Sequence, residues 1–474
     1  MNVRGSLLAA FGLVVSVPAL AQPRTLQDAL AMAYSTNPTL LAARAQLRSV
    51  DENVPQALAG WRPTVTVTGA VGYADGTSRS YVPNAFQDPQ TGRPIGAGVS
   101  ARQNRDEAQA TATVTQPFYR GGRTAAQTHA AENRVLAQRG RLIATEQQVF
   151  SDTVNAFINV IQTQQILQLD INNEQVLARQ LQATNDRFRV GEITRTDVAQ
   201  AEAALSAARA ARQTAEGNVQ TARATYRREV GEVPNQLVEP QPIALPVRTG
   251  AEATQLSAAN NPSVVFTMFD LAAQKDTVDV AISALMPTVN GTASAFRQDN
   301  TIFPKNRIIG AQALLNLSVP IYQGGAEYAA VRQQRQLEEQ ARRTVDDTRR
   351  QAVQSATSSW ETLVAARAVI ESTRSQIRAN QIALEGTQRE AIVGSRTTLD
   401  VLNAEQLLLQ SRTTLVQNLA NLVISSYNVA AAIGRLSARD LDLKVPLYDE
   451  TAYYAAVHDR LFGTGDYAIN QPAR

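Results

Sequence analysis

Two halves of this 474-residue chain repeat one another, and this duplication limits its possible folds more than any other feature. The segment QPFYRGG, which ends at Gly122, recurs as VPIYQGG, which ends at Gly325, so the copies are offset by 203 residues. The same offset relates several later motifs: Val190-Gly191 and Val393-Gly394, Asp197-Val198 and Asp400-Val401, and Glu202 and Glu405. Two long copies in constant register indicate a gene duplication rather than a solenoid of short repeats.

The offset is larger near the start of each copy, where Asn37-Pro38 corresponds to Asn261-Pro262, 224 residues later. The first copy therefore contains an insertion between Pro63 and Pro117. This pattern predicts four parts of the chain, namely a leader (1–21), a first structural repeat (22–245), a second structural repeat (246–440) and a C-terminal segment or tail (441–474).

The N-terminus has the pattern of a secretory signal peptide. Arg4 precedes an apolar run that ends at Val17 and a small-residue motif that ends at Ala21, so cleavage is predicted before Gln22. A membrane anchor is the alternative, but the apolar run is shorter than the ~20 residues that cross a bilayer. The chain has no cysteine, which excludes disulfides and a lipid on an N-terminal cysteine.

Each copy is predicted to fold as a helix, two strands, a long helix and a second helix. A helix is predicted from Leu26 to Leu58; after it, Val and Tyr alternate with Thr from Thr64 to Tyr73, and this period of two indicates a two-faced strand. Further strands are predicted at Ala108 to Gln116, Thr288 to Phe296 and Ala311 to Val319. The segment from Asp75 to Arg105 is rich in Gly, Pro and Asn, and a long outward-facing loop is predicted there.

The predicted strands have one apolar face and one face of Thr, Asn and Gln. A soluble sheet with one wet face is the alternative, but short hydroxyls and amides take the place of the usual Lys and Glu. In lipid, a sheet cannot leave its edges unpaired. Four strands are too few to close, so a barrel would have to be shared between subunits, and three copies would supply twelve strands.

The helices are predicted to be unusually long. From Gly122 to Val190 there is no proline, so one helix of about 100 Å is expected at 1.5 Å per residue. A shorter return helix is predicted from Thr196 to Val230. In the second copy, small apolar residues recur at coiled-coil spacings, among them Val345, Ala352, Ala356, Trp360, Leu363 and Ile370. A helical bundle without a lumen fits these residues equally well, and only the strands favour a tube.

Residues for reaction chemistry are scarce in this chain. It has two histidines, His129 and His458, and His129 is expected on a helix surface. No Gly-Lys-Ser or Gly-Lys-Thr phosphate-binding motif occurs, so neither an enzyme nor a cofactor is predicted. The formal net charge of +3 is too small to indicate nucleic acid as a partner.

Two sets of motifs resemble the TolC family of outer-membrane factors. The first set is the strand–helix junctions, with Pro117, Gly121, Gly122, Pro320, Gly324 and Gly325. The second set is the two helical tips, which begin at Val190, Gly191, Val393 and Gly394. A weaker resemblance, to the branch that serves type I protein secretion, lies in the tail segment Val445 to Asp449.

This resemblance implies a mixed, mainly α fold in which long coiled-coil hairpins form a periplasmic α-barrel. Four strands per subunit would contribute to a shared twelve-stranded β-barrel in the outer membrane, and the C-terminal segment would be periplasmic and equatorial. The implied assembly is a homotrimer in outer-membrane lipid. Its tips would dock on a periplasmic adaptor, or membrane fusion, protein that is bound to an inner-membrane ABC or proton-driven transporter.

The resemblance also implies an aperture at the tips. Arg396 would tie its hairpin to Thr196 and Asp197 of the other hairpin, and threefold symmetry would place Asp400 in an acidic ring. The second acidic position of the family is Asn403 here, so the ring would carry less charge. The alternative is that Asp197 and Asp400 only stabilise the first turns of their helices.

The function predicted from these features is a passive exit duct for type I protein secretion, efflux or both. A periplasmic adaptor and a structural coiled-coil protein of the envelope are the alternatives. An adaptor should carry a compact β-rich domain, which the sequence does not indicate, and a purely structural coiled coil should lack two-faced strands. The sequence leaves the exported substrate open.

Overall fold

The computed structural model describes residues 24–302 and 305–465; the predicted leader and its cleavage site lie outside this part. Its elements follow the predicted order, helices then two strands then two long helices, in each half. The helices are α1 (Leu26–Thr36), α2 (Pro38–Asp51), α3 (Asn53–Leu58), α4 (Arg123–Arg189), α5 (Arg195–Val230), α6 (Gly250–Asn260), α7 (Pro262–Ile282), α8 (Ala326–Ile392), α9 (Thr398–Ala432) and α10 (Ala452–Val457). The strands are β1 (Thr64–Gln87), β2 (Pro94–Arg120), β3 (Thr288–Asp299) and β4 (Arg307–Ser318).

The opening segment is three helices, so the prediction of one helix from Leu26 to Leu58 is wrong. The first break lies at Asn37, whose backbone is extended (φ −63°, ψ 121°) because Pro38 disfavours a helical residue before it. The Asn37 side-chain amide donates to the carbonyl of Glu229, at 3.0 Å, and its side-chain oxygen accepts from the backbone N–H of Thr39, at 2.9 Å. The break therefore ties the opening helices to the end of α5.

The four strands form one antiparallel sheet in the order β1-β2-β3-β4. Opposite residues share a face, so the register places Val65, Val114, Ala293 and Ala313 on the same face. Apolar side chains of this face are exposed in the single chain, and Val71 is 87% exposed. The other face carries Thr and Asn residues, including the opposed pair Asn290 and Asn316.

The first hairpin is much longer than predicted, and the prediction of a loop from Asp75 to Arg105 is wrong. Backbone pairing continues from Asp75 with Asn104 outward to Gln87 with Pro94, which leaves only residues 88–93 as the connection. Gly and Pro are tolerated here because β1 is hydrogen-bonded to a neighbouring strand on one side only. Pro83 lies within the bulge between Val82 and Phe86, where the regular backbone pairing is interrupted.

The two long helices, α4 and α8, each contain 67 residues, close to the predicted length. Their sequences lack interior proline, so the hydrogen-bonded ladder is unbroken. In the described ranges, no helix combines the length and the apolarity needed to span a membrane.

One compact unit comprises residues 24–43, Ile143–Asn261 and Ala352–Leu447. Its core includes Val247, Ala253, Leu363, Val429 and Ile433, against which Trp360 packs. The buried hydroxyl of Ser257 donates to the carbonyls of Ala352, at 3.0 Å, and Ala432, at 2.8 Å, which joins α6 to both α8 and α9.

Within the described residues, the other compact unit comprises Arg44–Leu142, Pro262–Gln351 and residues 448–465. It contains the sheet and a small core of Val54, Ala131 and Val135, which the ring of Tyr454 covers. The phenol of Tyr453 donates to the carboxylate of Glu52 at 2.9 Å. α10 is thereby held against α3 and α4.

Candidate functional site at the hairpin tips

The connection between α4 and α5, called tip 1 (residues 186–197), ends its first helix with a glycine. Gly191 has a φ of +78°, a conformation that glycine adopts without strain. Its N–H donates to the carbonyl of Phe188 at 2.9 Å, and the N–H of Glu192 donates to that of Arg187 at 3.0 Å. This pair of bonds is a Schellman motif, which satisfies the last carbonyls of the helix.

The connection between α8 and α9, called tip 2 (residues 389–400), has the same construction. Gly394 has a φ of +79°. Its N–H donates to the carbonyl of Ala391 at 3.3 Å, and the N–H of Ser395 donates to that of Glu390 at 3.0 Å. The two tips are thus closed by equivalent backbone hydrogen bonds.

Both returning helices begin with a reciprocal cap. In tip 1 the Thr194 side chain accepts from the backbone N–H of Asp197, and the Asp197 carboxylate accepts from the backbone N–H of Thr194 at 3.0 Å. Thr397 and Asp400 repeat this capping box in tip 2, at 2.9 Å. Hydrogen bonds to the threonine hydroxyl and backbone lower the pKa of both carboxyls.

Each tip also contains an ion pair, and the two pairs have opposite polarity. In tip 1 the cation lies on the outgoing helix, where Arg187 contacts Glu192 of the loop at 2.8 Å. In tip 2 the anion lies on the outgoing helix, where Glu390 contacts Arg396 of the loop at 2.9 Å. The Glu390 carboxylate raises the pKa of Arg396, and Arg187 lowers the pKa of Glu192.

Apolar packing beneath the tips holds the two hairpins together. Leu402 of α9 packs against Leu177 of α4 and Leu205 of α5. Within the second hairpin, Val401 joins Leu384 and Leu408 in a separate cluster. The loops themselves remain exposed, with Val190 and Val393 each 78% exposed.

The predicted aperture residues are near the tips, but the single chain does not join all of them. Arg396 pairs with Glu390 of its own hairpin, while Asp197 of the other hairpin is bonded to Thr194 and lies near Arg187. Thr196 and Asn403 are exposed. The role of Arg396, Thr196, Asp197, Asp400 and Asn403 in an aperture therefore stays a prediction.

Sequence reasoning missed the two ion-pairing positions of the outgoing helices. Arg187 and Glu390 are separated by the offset that relates the repeats, as are Asp186 and Arg389. The charge reversal between Asp186-Arg187 and Arg389-Glu390 was therefore visible in the sequence. This charge reversal has a structural meaning only in the folded protein, because there each loop brings residues five or six positions apart into contact.

The strand–helix junctions also contain paired glycines. Gly121 and Gly122 follow β2 with φ values of +64° and +83°, and Gly324 and Gly325 precede α8 with +71° and +85°. A Cβ on Gly121 would lie 2.7 Å from the carbonyl oxygen of Ser283, whereas Gly324 has open space around it. Pro117 lies at a bulge in β2, and Pro320 follows β4.

Within residues 24–302 and 305–465, no three His, Asp or Glu side chains are grouped as a metal site would require. His129 lies exposed on α4, as predicted.

Comparison with solved structures identifies the class of fold. The crystal structure of CusC superposes with a TM-score of 0.72 at 14% identity, over 86% of this chain and 91% of CusC. The chain therefore has the fold of CusC.

Sequence similarity then identifies the family. The family described as "Outer membrane efflux protein" matches residues 29–232 and 253–435, and the chain belongs to it. The chain is 36% identical over 441 residues to the outer membrane efflux protein BepC of Brucella suis biovar 1 (strain 1330), covering 93% of this chain and 91% of BepC. It is 25% identical over 319 residues to outer membrane protein TolC of Escherichia coli (strain K12), covering 62% of this chain and 63% of TolC.

These matches confirm the predicted resemblance to the TolC family and the predicted location. The chain is an outer-membrane protein of the Gram-negative type, and its relatives are efflux and secretion channels rather than enzymes.

Proposed function

We propose that three copies of this chain form a passive exit duct across the outer membrane. The observation that carries this proposal is the four-stranded sheet, in which β1 and β4 each have one partner strand and one face is apolar. Unpaired edges are not tolerated in lipid. Pairing β4 of one subunit with β1 of the next closes a twelve-stranded barrel with its Thr- and Asn-rich face toward the lumen.

The long hairpins form the second part of the proposed duct. α4 and α8, at about 100 Å each, extend the lumen into the periplasm, and the exposed Val190-Gly191 and Val393-Gly394 tips dock on a periplasmic adaptor. An inner-membrane ABC or proton-driven transporter supplies the energy. The name of BepC favours efflux as the activity, and the tail segment Val445 to Asp449 favours protein secretion as a further one.

A domain organisation in two repeats is part of the same proposal. Residues 22–245 and 246–440 act as two copies of one hairpin-bearing unit after removal of the leader (1–21), and residues 441–474 act as a C-terminal periplasmic equatorial segment or tail. The two halves share their element order and the length of their outgoing helices. The long β1–β2 hairpin faces the cell exterior.

The aperture of the duct lies at the tips in this proposal. Three copies of Asp400 ring the axis and favour cations, because a constricted pore screens their field weakly. Substitution Asp400→Ala should reduce cation preference in planar bilayers. Asp400 also belongs to a capping box, so its substitution can weaken the helix. If the variant has unchanged ion selectivity and a less stable helix, the role of Asp400 is capping alone.

Channel formation is tested by reconstituting the purified protein into planar bilayers. The proposal predicts discrete conductance steps of one size, because each step is the opening of one trimeric channel. A protein that fractionates with the outer membrane but gives no steps, including after removal of the tip loops, would contradict it and favour a structural role.

A further inference from the structure

A second polar site lies far from the tips in sequence, at the junction of the sheet with the helices. A cavity of about 340 Å³ is lined there by Arg120 at the end of β2, Arg123 in the first turn of α4, and Thr288, Asn290, Ser318 and Gln323. We propose that this cavity binds an oxyanion, such as a phosphate group, carried by a solute inside the channel.

The positive charge of the cavity is not balanced by its own lining. No Asp or Glu lines it, and the side-chain partners of the two arginines within residues 24–302 and 305–465 are a carbonyl and a hydroxyl, not a carboxylate. Glu327 lines a different cavity, which also touches Arg123, without pairing with it. Two half-buried cations in one polar cavity therefore favour an anion as the missing partner.

Hydrogen-bond donors remain available on both arginines. A guanidinium has five N–H donors. Arg120 uses one in a long contact of 3.5 Å with the carbonyl of Gly60, and Arg123 uses one in a contact of 3.3 Å with the hydroxyl of Ser283. The remaining donors match the fork geometry with which arginine binds phosphate or carboxylate oxygens.

The sheet register shows to which face the cavity belongs. Arg120 is opposite Thr288, and Thr288 is opposite Ser318, so these three side chains form one row on the same face. That row continues the polar face through Asn290 and Asn316. In the proposed barrel this face lines the lumen, so the oxyanion comes from a solute in the channel rather than from a lipid headgroup; only this assignment of the source depends on the proposed function.

Binding is tested on the full-length protein in detergent by thermal unfolding. Inorganic phosphate should raise the melting temperature, compared with chloride at equal ionic strength, because a ligand that binds the folded state stabilises it. The double variant Arg120→Gln/Arg123→Gln should weaken this response at least about tenfold. Arg335→Gln, an exposed position on α8, is the matched control and should respond like the parent.

A second variant separates loss of binding from poor folding, and a second probe separates a solute from a lipid headgroup as the source of the oxyanion. Arg120→Lys/Arg123→Lys keeps the charge and should retain part of the phosphate response, even if the Gln variant folds poorly. If phosphatidylglycerol vesicles but not inorganic phosphate stabilise the parent through these arginines, the source is a lipid headgroup and the lumenal assignment is overturned. A parent protein that responds to neither probe overturns the site, whether or not it conducts ions.

Discussion

Arg187 and Glu390 occupy corresponding positions on the two outgoing helices and carry opposite charges, and each is paired within its own hairpin. Arg187 contacts Glu192 and Glu390 contacts Arg396, at 2.8 and 2.9 Å. These four charged side chains are therefore paired within their own tips. A tie between the hairpins through Arg396 must compete with Glu390.

This competition predicts opposite effects of two substitutions. Glu390→Gln releases Arg396 to reach Asp197 of the other hairpin and should lower the open probability in planar bilayers by about two- to fivefold, the scale of an exposed ion pair. Arg396→Ser removes the tie and should raise conductance.

Arg389→Gln is the control for these variants, because it removes a charge from the adjacent exposed position. Equal behaviour of the Glu390 and Arg389 variants would show that Glu390 has no specific effect on the aperture.

Alanine substitution is expected to destabilise the protein by different amounts at the first glycine of each strand–helix junction. Gly324→Ala places an alanine at positive φ and should lower the free energy of unfolding by about 1–2 kcal/mol. Gly121→Ala adds a collision with the carbonyl of Ser283, which should cost about 1–3 kcal/mol more. Denaturant unfolding followed by circular dichroism measures both, and equal midpoints would refute the close approach at Gly121.

Asp51 predicts a pH-dependent stability. Its side chain is fully buried, neither carboxylate oxygen has a hydrogen-bond partner, and burial raises its pKa to about 6. Arg139 of α4 and Arg48 oppose this shift, while Glu52 and Glu450 of the C-terminal segment add to it. The folded state therefore holds a proton between about pH 4 and 6 that the unfolded chain has lost, so stability falls as the pH rises through this range.

Substitution Asp51→Asn should remove the cost of ionising this buried carboxyl group. At pH 7.5 the variant should have a higher melting temperature than the parent, and its free energy of unfolding should be larger by at most about 3 kcal/mol. The difference in melting temperature should disappear near pH 4. Asp347→Asn, on an exposed face of α8, is the control. A gap that does not change with pH would show that Asp51 is not the titrating group.

The orientation of the long hairpin predicts surface labelling. An epitope inserted near Pro89, in the connection of residues 88–93, should bind antibody on intact cells because it lies at the far end of the β1–β2 pairing. The same epitope at Gly191 should be labelled only after the envelope is permeabilised. The opposite pattern would reverse the proposed topology.

Much of this architecture could be predicted from local patterns. The absence of proline from Gly122 to Val190 predicts α4, and alternation predicts the inner parts of all four strands. The outer half of the β1–β2 hairpin could not be predicted, because its Gly and Pro content indicates a loop and its stability comes from cross-strand pairing. The break at Asn37 was signalled by Pro38, whereas the tip ion pairs depend on the path of each loop.

The most direct measurement of the central claim is the native mass of the detergent-solubilised protein. A closed barrel requires neighbours for both edge strands, so the account predicts a mass corresponding to three subunits, without smaller folded species. A folded particle with the mass of one subunit, retaining its β structure by circular dichroism, would contradict the claim that the duct is shared between copies.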